Sequence, residues 1–189
     1  MNTPGHYILN LALLGKTIAP KQNTAIAVGA ILPDIPIFVF YFVTKFIYQM
    51  PSDKIWSETY YEPFWQNLVA LFHSIPLALV GAAICYRLDY QPGIILFISM
   101  VCHSLLDLPV HNDDAHRHFF PLSNYRLISP FSYWDTNHYG RIIAFIEMAL
   151  VIGVNPIVLG LLNSPWTKGI AIAIDIFYLF GYYRFYLRS

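Results

Sequence analysis

Five apolar runs, at residues 23–48, 64–87, 93–110, 142–162 and 169–186, approach the length of a membrane-crossing helix. Only helices and closed barrels satisfy their own backbone polar groups in hydrocarbon, and runs of this length select the helix. The chain has 189 residues, of which 57% are hydrophobic and 12% charged, half the charged share of an average soluble domain. The predicted fold is therefore all-α: a polytopic membrane helical bundle with about five main hydrophobic segments, forming one integral membrane domain over residues 1–189. A further apolar stretch, Tyr7 to Ile18, is too short to cross and predicts a short N-terminal helix, buried or re-entrant. Nothing in Met1 to Gly5 reads as the basic start of a cleaved signal.

Eleven basic and eleven acidic residues leave no net charge and no basic patch, which argues against a nucleic-acid partner and leaves membrane lipids as the expected one. Cys85 and Cys102 both fall in apolar runs and read as small fillers rather than a disulfide. Tyr and Trp residues such as Trp56, Tyr60, Tyr61, Trp65, Tyr133 and Trp134 stand near run ends, as in interfacial belts. Lys45, Lys54, Arg117, Arg126, Arg141, Arg184 and Arg188 fall on one side of a five-span arrangement, against Lys16, Lys21, Arg87 and Lys168 on the other. By the positive-inside rule this bias puts residues 111–141, a long polar and aromatic loop, on the cytoplasmic side.

Two runs carry internal breaks. Pro33-Asp34-Ile35-Pro36 removes two backbone donors and restricts the residues before each proline, which predicts a discontinuity at Asp34. Pro76 predicts a kink in residues 64–87.

The costly groups in these runs point to chemistry. His103 and Asp107 are four residues apart and share one helix face, at the end of an apolar run where unpaired ionisable groups are unfavourable. Imidazole nitrogen and carboxylate oxygen suit a borderline divalent metal such as zinc. His6, Asp34, His73, His103, Asp107 and His111 are the smallest set able to hold one or two such ions, with His111 depending on how Pro109 turns the chain. Asp34 or Asp107 could orient a water, and Arg126 could stabilise phosphate charge, so these three are the candidate catalytic residues. His116 and His118 read instead as non-ligands, Asp113 and Asp114 as solvated loop charges, and Glu147 and Asp175 as structural hydrogen-bonding groups. Arg117 fits an anionic head group or membrane phosphates equally well.

The ordered set Gly5-His6, Leu32-Pro33-Asp34-Ile35, His73-Ser74, His103-Ser104-Leu105-Leu106-Asp107, Phe120-Pro121-Leu122 and Tyr125-Arg126 resembles the motifs of the LexA-regulated, membrane-bound metal-dependent hydrolases. That family has a proposed relationship to zinc-dependent phospholipase C enzymes. The resemblance covers about residues 5–130 and implies a hydrolase of the prokaryotic inner membrane, acting on a phospholipid or another amphiphilic phosphoester. Pro36 stands where the family often has a second aspartate, and no histidine precedes His73 where the family often has one. A second ion would therefore need His111, Asp113, His116 or His118. Two other readings stay open: a non-enzymatic membrane scaffold or assembly factor with a protein partner, in which His and Asp groups are structural, and a transporter built on broken helices.

Overall fold

A computed structural model describes residues 1–16, 18–19 and 21–188. The chain is 72% helical, and no strand occurs among the described residues. The N-terminal helix α1 spans Thr3–Leu14, with Pro4 in its first turn where no intrahelical donor is needed. The apolar stretch predicted to form it runs further, to Ile18, and Thr17 of that stretch lies outside the described residues.

Three helical stretches are long and apolar enough to cross a membrane: Asn23–Ile47, Gly140–Leu161 and Pro165–Leu187. The first contains α2 (Asn23–Ile31) and α3 (Ile35–Phe42), joined by a single 3₁₀ turn at Leu32–Asp34 and closed by a π turn at Val43–Ile47. The break predicted at Asp34 is thus a tightened turn within a continuous helical course. Ile35 N–H bonds to Leu32 O three residues back, which lets the helix pass the two prolines without stopping.

Residues 52–61 form a short helix, α4 (Ser52–Ser57), and one 3₁₀ turn at Thr59–Tyr61. The second apolar run then divides into α5 (Pro63–Phe72) and α6 (Ile75–Arg87), bent by 44°. The bend lies at His73-Ser74 rather than at Pro76, which instead occupies the first turn of α6. Ser74 caps that helix, its Oγ accepting from Leu77 N–H at 3.1 Å. Next, α7 (Gln91–Asp107) has 17 residues and stops at Asp107, three residues before the apolar run ends. The two closing helices are α8 (Gly140–Leu161) and α9 (Pro165–Tyr182), the latter continued by a π turn at Tyr183–Leu187.

The short helix α1 is the core of the bundle. Its Ile8, Leu11 and Leu14 pack with Ile26 of α2, Ile95 of α7, Val151 and Val158 of α8, and Ala171 and Tyr178 of α9. A helix too short to cross is therefore wrapped by longer ones, and much of the outer surface of α8 and α9 is exposed Ile, Leu and Phe, as a lipid-facing surface requires. Buried polar groups stitch the centre together. Asn10 donates to Ser99 O at 2.8 Å and Ser99 Oγ donates to Ile26 O at 2.7 Å, tying α1, α7 and α2. On the other side of α1, Glu147 Oε1 accepts from Asn2 N–H at 2.9 Å and from the Tyr178 hydroxyl at 2.6 Å. Those bonds fix the start of α1 against α8 and α9, and so fix the position of His6.

Candidate metal centre

Three chain breaks converge at one point: the turn at Asp34, the bend at His73 and the C-terminus of α7. His73 ends α5, where its backbone no longer continues the helix, and His103 and Asp107 lie on the last turns of α7. His6 enters from the first turns of α1. After Leu108 the chain folds back, and His111 returns its Nε2 to 3.2 Å from Asp107 Oδ1. His6, Asp34, His73, His103, Asp107 and His111 are all buried.

The centre is organised by Asp107. Its Oδ2 lies 3.1 Å from His103 Nε2 and 3.7 Å from His73 Nε2, while Asp34 Oδ1 lies 3.6 Å and 3.5 Å from the same two nitrogens. Ligand atoms about 2.0–2.1 Å from a tetrahedral zinc ion stand about 3.3 Å from one another. The four separations straddle that value. On its other side, Asp107 Oδ1 lies 2.9 Å from His6 Nε2 and 2.7 Å from the Met1 amino nitrogen, which is itself 2.8 Å from His111 Nε2. One carboxylate thus serves two groups of donors.

Ring protons decide what those nitrogens can do. His73 Nδ1 lies 3.0 Å from Val69 O and His103 Nδ1 lies 2.8 Å from Ala30 O. A carbonyl only accepts, so each Nδ1 carries a proton and donates it, which leaves Nε2 as the ring nitrogen that faces the carboxylates, with a free lone pair in the neutral ring. His73 Nε2 and His103 Nε2 are buried and make no hydrogen bond. Buried nitrogens aimed at one point without a partner suit a bound cation, and Nδ1 donation outward is how liganding histidines are held. His111 follows the same pattern with a carboxylate, its Nδ1 donating to Asp114 Oδ2 at 2.9 Å. Burial works against the Asp114 carboxylate, but bonds from His111 and from Trp134 Nε1 outweigh it and hold its pKa below the ordinary value.

His116 and His118, read from the sequence as non-ligands, are also buried here. His116 groups with His73 and Asp107 closely enough for the three to share an ion, just as His6, Asp34 and His103 do. Burial, followed by the nearby His73 and His111, lowers the His116 pKa well below the usual imidazole value. Burial and His73 push His118 down to about 4. Both are therefore neutral near pH 7, the form that ligates metal. Asp114, read as a solvated charge, is instead partly buried against His111 and Trp134. The sequence offered one signal for this: five His or Asp residues between His111 and His118 in a segment without helical periodicity.

A cavity of about 540 Å³ opens over the centre. Asp34, His111 and His116 form its inner end, and Ile37 and Phe38 of α3 line it on the apolar side. Arg126 is not among the lining residues; its guanidinium donates to Gln66 Oε1 at 2.8 Å. Arg117 bonds Asn67 and Asn124 at the surface. Asp175 bonds Asn155 between α9 and α8, away from the centre.

No family model, curated protein or solved structure matches this chain.

Proposed function

We propose that this chain is a polytopic membrane protein of the prokaryotic inner membrane that acts as a metal-dependent hydrolase on an amphiphilic phosphoester. The observation that carries this reading is the convergence of Asp34, His73, His103 and Asp107, in which each imidazole Nε2 lies 3.1–3.7 Å from an oxygen of both carboxylates, beneath a cavity with one apolar side. A scaffold needs no such convergence, since each histidine could be satisfied by a single hydrogen bond.

Zinc is the ion that best suits two imidazoles and two carboxylates in four-coordinate spacing. When bound, such an ion supplies Lewis acidity and a water of lowered pKa. The chain's own residues supply the rest. Thr3 Oγ1 donates to Asp34 Oδ2 at 2.5 Å and fixes that carboxylate's orientation. Asp107 holds His6, His111 and the Met1 amino group around its second oxygen. Ile37 and Phe38 offer apolar surface to the tail of a substrate, and the neighbouring polar groups receive its head. The bent α5–α6 pair and α7 count as the remaining two of five membrane segments, with the 111–141 loop cytoplasmic.

The test is metal analysis of protein purified without chelator and then reloaded. The expected content is about one to two equivalents of transition metal, falling with His103→Ala to below about a tenth of an equivalent. Wild-type protein that stays below a tenth after reloading would overturn the hydrolase and favour the scaffold.

A further inference from the structure

Arg117 and Arg126 lie outside the metal centre and its cavity, and the chemistry proposed above leaves them without a task. Both guanidiniums are held on consecutive residues of α5: Arg117 donates to Asn67 Oδ1 at 2.7 Å and Arg126 to Gln66 Oε1 at 2.8 Å. Arg117 makes a second bond, to Asn124 Oδ1 at 3.1 Å. All three acceptors are neutral amides, and among the described residues no carboxylate pairs with either arginine. No aspartate or glutamate falls between residues 117 and 134. Burial, and after it the charge of Arg126, lower the Arg117 pKa from its ordinary value, so the two cations feel each other. Neighbouring guanidiniums tethered only by neutral groups suit a shared anion, and their planar forks match phosphate.

The level of this pair in a bilayer follows from α5 and α6. At the bend between them Ser74 Oγ donates to Phe120 O and Ile75 N–H donates to His118 O at 2.9 Å, which fastens the loop there. From the bend α6 runs to Arg87 with Leu79, Val80 and Ile84 exposed, as lipid contact requires. Twenty residues separate Arg87 from Asn67, about 30 Å at the helical rise before the bend shortens it, close to the thickness of a hydrocarbon core. Arg87 therefore marks one head-group layer, and Asn67 with the two arginines marks the other. Around them the loop leaves Leu122, Tyr125 and Ile128 exposed by 81%, 59% and 66%. In water such a surface is unfavourable. At a head-group layer its apolar side chains reach hydrocarbon while the guanidiniums stay among phosphates.

We infer that the face of the loop bearing Arg117 and Arg126 docks on the bilayer surface and holds the phosphate of an anionic phospholipid between the two guanidiniums. The inference rests on the membrane placement proposed above and not on the hydrolase chemistry. An anionic lipid is the occupant because a zwitterionic one would bring an ammonium group to two uncompensated cations. This lipid lies outside the cavity, so it is a neighbour of the protein and not its substrate. The loop it fastens also carries His116 and His118, which pack against His73.

The test uses the full chain with Cys85 and Cys102 replaced by alanine, carrying Leu122→Cys or Ile84→Cys labelled with a fluorophore, in phosphatidylcholine vesicles. Nitroxide-labelled phosphatidylcholine should quench both labels, since both positions face lipid. Nitroxide-labelled phosphatidylglycerol should be preferred about 5- to 25-fold at residue 122, at about fivefold for each arginine, and not preferred at residue 84. The preference at residue 122 should fall below about twofold with Arg117→Gln/Arg126→Gln. With both arginines present it should fall as far in about 1 M salt, a measurement that does not depend on the double variant folding. Quenching at residue 84 and none at residue 122 puts the loop in water, which overturns the docking and leaves the membrane placement standing. Quenching at neither position overturns both. Quenching at residue 122 without the preference, or a preference that outlasts either the double substitution or the salt, overturns the phosphate site. The hydrolase reading is tested separately, by the metal content.

Discussion

Replacing Asp107 by asparagine should lower metal affinity by at least about 100-fold and abolish hydrolysis, while helical content by circular dichroism is unchanged. The size of the effect follows from the position of this carboxylate between two groups of nitrogens. Its Oδ2 faces His73 and His103, and its Oδ1 faces His6 and His111. The amide keeps the volume but removes the charge and turns one acceptor into a donor, so at least one group loses its oxygen ligand. Asp114→Asn is the graded comparison. Besides Trp134, Asp114 bonds the outward nitrogen of His111, and such orienting partners are worth about 10- to 100-fold in affinity. If Asp107→Asn binds metal as tightly as the wild type, the centre is not built around this residue. If Asp114→Asn equals it in effect, His111 matters more than the spacing of the other ligands implies.

The part of this centre that could be read from the sequence is the part fixed by local geometry. His103 and Asp107 are four apart on a helix, which puts them on one face with no knowledge of the rest of the chain, and in the structure Nε2 and Oδ2 stand 3.1 Å apart. Asp34 was legible as a carboxylate at a proline-flanked discontinuity, although the discontinuity is one 3₁₀ turn. His73 was marked by its polarity inside an apolar run, but its placement depends on a bend at His73-Ser74 that Pro76 signals only approximately. His116 and His118 were legible only as residues a second ion could need and were otherwise read as non-ligands, because nothing periodic constrains the loop; their burial comes from packing, His116 against His73 and His111, and His118 against His73 and His116. The fold divides along the same line. Helical content follows from the apolar runs, whereas the number of helices able to cross depends on where each run bends or stops, as α5–α6 and α7 do. The place of α1 was legible in part: a stretch too short to cross predicts a buried or re-entrant helix, but which helices pack around it depends on the tertiary fold.

That dependence of the centre on helix packing gives the second large effect, at a residue with no polar atom in its side chain. Gly29 lies where α2 crosses α7, and a Cβ there would stand 2.2 Å from Leu96 O and 2.7 Å from Ser99 Cβ. The first of these is backbone and cannot rotate away, so Gly29→Ala must push the two helices apart. Overpacking of this kind costs about 1–3 kcal/mol, which should appear as a clear loss of thermal stability in detergent. The same displacement moves Ala30, whose carbonyl accepts from His103 Nδ1, and Ile26, whose carbonyl accepts from Ser99. Metal affinity should therefore fall together with stability, although Gly29 is not a ligand. Gly153→Ala is the control, because α8 leaves open space around that position and alanine gains up to about 1 kcal/mol over glycine in a helix. It should be neutral or stabilising, with unchanged metal content. A Gly29→Ala protein that keeps both its stability and its metal would mean that α2 and α7 are not held at this distance, and that Ala30 does not set the tautomer of His103.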